Sequence, residues 1–123
     1  MRPFCLALLF TVFSVASLQA KVVVFSEPGF PVVDSQPIGQ ATLTAALGPD
    51  AVIAGIDALG HGDALRDADL LVLPYGSAVP TEAWTSIDAY LRAGGNLLVL
   101  GGQPLHVPVA GHAGAFTQEA PQD

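Results

Sequence analysis

The stretch Asp67–Leu105, DADLLVLPYGSAVPTEAWTSIDAYLRAGGNLLVLGGQPL, decides the fold class of this chain. Leu70–Leu73 is apolar at every position, which suits a strand covered on both faces. A second such run, Leu97–Leu100, closes the stretch. Between them Trp84, Ile87 and Leu91 recur at helical spacing, with Ala83 and Tyr90 beside them, so the period favours Trp84 on the core stripe over an exposed ring stacking on a sugar. Thr81 or the Val79-Pro80 pair starts this helix; Glu82 in its first turn and Arg92 in its last match the helix dipole. Asp88 and Arg92 form an i, i+4 pair, and Gly94-Gly95 ends the helix. Strand, helix, strand in this order is the unit of an open parallel α/β sheet.

Upstream, Lys21–Phe25 is a β-branched apolar run that reads as a central strand, stopped by Pro28, Gly29 and Pro31. A helix is expected from Gln36 or Pro37 to Leu47, capped by Asp34 or Ser35 and stopped by Gly48-Pro49. Ala51–Ala54 reads as a short strand, and Ile56–Leu59 and Asp63–Arg66 as single helical turns. The expected fold is α/β, an open parallel sheet of about four strands with flanking helices. After Gly102 no period is visible, so 106–123 is expected to be an irregular tail or the start of a further region. The domain expected to precede it spans 21–105. A sheet that stops there reads as the N-terminal part of something longer.

Residues 1–20 have another character. A short positive start at Arg2, an apolar run from Phe4 to Val15 and a small residue at Ala20 are the layout of a secretory signal. The expected cleavage before Lys21, with an uncleaved N-terminal anchor as the rival reading, would place the protein in the periplasm or the medium with no membrane contact. It takes Arg2 away, leaving Lys21, Arg66 and Arg92 against eleven acidic residues and moving the net charge from −7 to −8. A chain so acidic carries no electrostatic footprint for nucleic acid. Cys5 leaves too, and with it every disulfide, cysteine nucleophile and thiolate metal site.

Leu73-Pro74-Tyr75-Gly76-Ser77-Ala78, then Pro80 and Trp84, then Ala93-Gly94-Gly95-Asn96-Leu97-Leu98-Val99-Leu100-Gly101-Gly102 resembles the class I glutamine amidotransferase-like domains, which are flavodoxin-like. It is similar above all to their non-catalytic versions in secreted bacterial glycoside hydrolases, such as the trimerisation domain of certain β-galactosidases. The distinctive residues cover Asp69–Leu105. In catalytic members the resemblance would put a cysteine on the turn that is Gly101-Gly102-Gln103 here. Without it the thiolate chemistry is lost. The resemblance therefore implies a non-catalytic accessory domain at the N-terminus of a secreted glycoside hydrolase-like protein. Its partners would be further domains of a larger chain, or a second copy of itself.

Two rival readings follow from the residues themselves. In an open parallel sheet, ligands bind at the carboxyl ends of the strands. Three loops should converge there, and they offer Glu27, Tyr75, Ser77 and Gln103 as candidate ligand-binding residues for a sugar or other small polar molecule. Turns at strand ends use these residue types in any such fold, so the pattern is not specific. The third reading is a small hydrolase using Ser77 or Glu27. Ser77 lacks the Gly-x-Ser-x-Gly elbow, and Glu27 has only Asp34 as a nearby carboxylate in sequence. No catalytic residue is therefore assigned. His61, His106 and His112 lie in glycine-rich segments without metal-ligand spacing, so no metal and no cofactor is expected.

Overall fold

The computed structural model describes residues 20–112 and 114–121. The signal expectation for 1–20 lies, apart from Ala20, outside the described residues. Among the described residues, seven strands and three α-helices follow in order: β1 Val22–Phe25, α1 Gln40–Leu47, β2 Val52–Ala54, α2 Ile56–Gly60, β3 Leu70–Leu73, β4 Ala78–Pro80, α3 Trp84–Arg92, β5 Asn96–Val99, β6 Val107–His112 and β7 Ala115–Gln118. Short 3-10 turns at Asp63–Leu65 and Thr81–Ala83 precede β3 and α3.

Four strands form an all-parallel sheet in the order β2-β1-β3-β5. This is an open α/β sheet of flavodoxin-like order, as the strand–helix–strand reading requires. Val23, Phe25, Leu71 and Leu73 point to one face, into a core shared with Ile56, Leu59 and Ile87 from α2 and α3. Val24 and Val72 point to the other face, where Leu43 of α1 covers them. Because both faces of β1 and β3 are covered, both strands are apolar throughout. Asn96 sets the start of β5: its side-chain amide donates to the Asp69 carbonyl at 3.0 Å, and its own carbonyl accepts from the Tyr90 hydroxyl at 2.8 Å. The Asp88–Arg92 pair forms, with Nε to Oδ2 at 2.9 Å, on the exposed side of α3.

Three expectations need correction. The segment after Gly102 is not irregular: β6 and β7 make an antiparallel hairpin, and β6 also pairs in parallel with β4, giving a second sheet β4-β6-β7. Pro108 and Gly111 broke the alternation that would mark β6. The helix α1 begins at Gln40 rather than near Pro37. Its N-cap is Gly39, with no side-chain cap, so neither Asp34 nor Ser35 plays that part. Trp84, finally, is not in the core. Ala83 and Ile87 are fully buried, whereas Trp84 remains 37% exposed at the start of α3.

Candidate functional site

The strand order turns back between β1 and β3, and there an open α/β sheet normally leaves its ligand crevice. In this chain that place is filled from within. Phe25 at the end of β1 meets Phe30 edge-on with ring centres 5.0 Å apart, and Tyr75 beyond β3 lies 4.9 Å from Phe30 and 5.1 Å from Phe25. Phe116, from β7, closes on Phe30 at 5.3 Å. Edge-to-face contacts of this kind add to the stabilisation from apolar burial. The chain leaving β3 runs directly into β4, and the chain leaving β5 runs into β6. The second sheet is thus built onto the carboxyl ends of the first, and Ala78, Val107 and Val109 join the same core.

The four candidate ligand-binding residues take different places in this arrangement. Glu27 is half-buried and accepts the backbone N–H of Ile56 at 2.8 Å through Oε1. Ile56 is the first residue of α2, whose N-cap Gly55 has no side chain to offer. The carboxylate thereby satisfies an orphan helix donor and lies at the positive end of the helix. A side chain on Gly55 would collide with it, with a Cβ only 2.7 Å from Oε1. The Tyr75 hydroxyl in turn accepts the backbone N–H of Glu27 at 2.9 Å. Both residues are therefore committed to holding β1, β3 and α2 together.

Ser77 is fully buried. Its hydroxyl donates to Asp34 Oδ2 at 2.8 Å and accepts the Gln103 backbone N–H at 2.8 Å. Its carbonyl takes the N–H groups of His106 and Val107, at 3.1 and 2.8 Å, and its own N–H donates to Val33 at 2.8 Å. It is a junction joining the loops after β1, β3 and β5. The neighbouring backbone is shaped for that approach. Gly102, at φ +62°, has space for no side chain, since a Cβ would lie 2.5 Å from both Ser77 N and Oγ. Asp34 holds a left-handed φ of 58° and Leu105 one of 57°. Such backbones persist where surrounding contacts fix them, and for Asp34 the bond to Ser77 is one such contact.

Of the four, Gln103 alone has an exposed side chain. It borders an open cleft of about 590 Å³ with Asp34, His106, Gln118 and Glu119. The three loops do converge, as the topology requires; there Glu27 binds the Ile56 N–H, Tyr75 the Glu27 N–H, and Ser77 both Asp34 and the Gln103 N–H. Among the described residues no three His, Asp or Glu side chains converge as metal ligands. No helix among them is long and apolar enough to cross a membrane.

The sequence reading missed a second cleft, of about 680 Å³, between the start of α3 and the strands β4 and β6. Trp84, Thr81, Thr85, Leu105, Pro108 and Glu119 line it. Helical periodicity hid it by assigning Trp84 to the core. Comparisons with protein-family models, with curated proteins and with solved structures gave no match.

Proposed function

We propose that this chain is a non-catalytic accessory domain of a secreted glycoside hydrolase-like protein, acting by packing against protein rather than by turning over a substrate. The observation that carries this reading is the unequal covering of the parallel sheet. On the face opposite α2 and α3, Val24, Leu43 and Val72 alone are buried among the described residues. Val22, Ile38, Leu47, Ala51, Leu70 and Leu100 stay partly open around them, and Ile53 and Leu98, on the two edge strands, are 37% and 38% exposed. A parallel sheet normally has both faces covered. One eight-residue helix leaves this one half-dressed, and the sides of β2 and β5 away from the sheet have no strand partner among the described residues.

Two further facts support the reading. The turn Gly101-Gly102-Gln103 holds no nucleophile, and Glu27, Tyr75 and Ser77 in the switch-point crevice are engaged in internal hydrogen bonds. Sedimentation equilibrium of the purified chain, beside Leu98→Lys, tests the self-associating form. The expected result is concentration-dependent association that the lysine weakens at least about tenfold, because a charge then has to be desolvated at the contact. A strictly monomeric wild-type chain would overturn self-association.

A further inference from the structure

We propose that the cleft at Trp84 is a binding site for a neutral saccharide. This inference is independent of the accessory-domain reading and concerns another part of the surface. It rests first on a conflict between pattern and structure. Trp84 begins the apolar stripe of α3, yet Ala83 and Ile87 take the core positions and the indole is left 37% exposed. Leu105 and Pro108 line an open cleft together with it.

The lining is divided by chemistry. Trp84, Leu105 and Pro108 provide apolar surface, and Thr81, Thr85 and Glu119 provide hydroxyl and carboxylate groups on the same cleft. The carboxylate is already oriented, for Thr81 Oγ1 donates to Glu119 Oε1 at 3.3 Å, and the Glu119 backbone N–H is held by the Pro108 carbonyl at 2.8 Å. A ligand matching this lining has an apolar C–H face for the aromatic ring and hydroxyl edges for the carboxylate and threonines. A pyranose has both. The cleft's size falls within the roughly 300–1,000 Å³ of small-ligand sites. Charge excludes the other polar classes: Glu119 and the acidic chain repel phosphates and acidic sugars. A quaternary ammonium would be better served by several aromatic walls, and Trp84 is the sole aromatic residue of the lining among the described residues.

Trp84 is the only tryptophan of the chain, so its fluorescence reports on the cleft directly. The test titrates the protein with glucose-, galactose- and N-acetylglucosamine-containing disaccharides up to tens of millimolar, and with choline. Saturable change in emission by at least one sugar is expected, with matching protection from acrylamide quenching. Glu119→Gln should weaken that affinity about tenfold without moving the circular-dichroism spectrum, which corresponds to losing one charge-assisted hydrogen bond. No saturable response to any of the sugars overturns the proposal. Saturation by choline alone overturns it too, in favour of a cation site, and an unaltered sugar affinity in the folded Glu119→Gln variant removes the cleft from the account.

Discussion

Replacing Ser77 by alanine separates a structural junction from a reactive hydroxyl. The change deletes one bond to a carboxylate, at 2.8 Å, and strips the Gln103 N–H of its acceptor at 2.8 Å. A hydrogen bond to a charged group contributes about 1.5–3 kcal/mol, and a buried donor left unpaired costs about 1–3 kcal/mol. Asp34 is exposed, so solvent screens its share and the sum belongs near the lower end, at about 2–3 kcal/mol. For a domain of this size that corresponds to a melting temperature lower by roughly 10–20 °C. Urea unfolding followed by circular dichroism should show the midpoint falling by about 1–2 M with the slope unchanged. Asp34→Asn keeps an acceptor and tolerates the left-handed backbone, so it should cost less than about 1 kcal/mol. A Ser77→Ala loss below about 0.5 kcal/mol would refute the junction. Full stability combined with lost turnover on any ester or glycoside would instead favour the hydrolase reading.

Three other outcomes follow from the structure. Gly102→Ala places a Cβ 2.5 Å from Ser77 N and Oγ at φ +62°, and should destabilise by about 2–5 kcal/mol in the same urea assay. Gly94→Ala, at φ +96° with open space around it, should cost only the backbone strain of about 1–2 kcal/mol. Burial pushes the Tyr90 phenol above its ordinary value of 10.0; the Asp69 charge adds to this and the bond to Asn96 opposes it. Its stabilising effect is thus fully present below pH 10 and is lost as pH rises through the higher folded value, because the unfolded phenol ionises first. Thermal melts should decline above pH 10, and Tyr90→Phe should make that decline shallower.

The parallel sheet was legible because β1 and β3 are buried on both faces and so carry uninterrupted apolar runs. Helix α3 was legible through its period, the basic Arg92 in its last turn and its Gly94-Gly95 stop, whereas Glu82, expected in its first turn, falls in the 3-10 turn before it. The second sheet was not. Its strand β4 has three residues wedged between a turn and a helix, and β6 carries Pro108 and Gly111, so the sheet depends on pairing between distant segments. The candidate site was half legible for the same reason. Topology brings the loops of Glu27, Tyr75, Ser77 and Gln103 together, but the partners that engage the first three lie far off in sequence: Ile56 is 29 residues from Glu27, and Asp34 is 43 from Ser77. Phe116, which closes the crevice, comes from the segment whose pattern looked irregular. Trp84 fits a core stripe equally well whether or not another element arrives to cover it, so its exposure is a property of the second sheet.

The most direct test of the closed crevice is native-state hydrogen exchange, by NMR, at three backbone amides: Glu27, Ile56 and Gln103. Each donates to a side chain drawn from the residues that would otherwise meet a ligand, namely Tyr75, Glu27 and Ser77. If those bonds seal the crevice, all three amides exchange only through larger opening of the fold, slowed at least about a thousandfold relative to an unfolded peptide. Exchange at near free-peptide rates while the β1 and β3 amides stay protected would mean an open, solvated crevice, and would contradict the account.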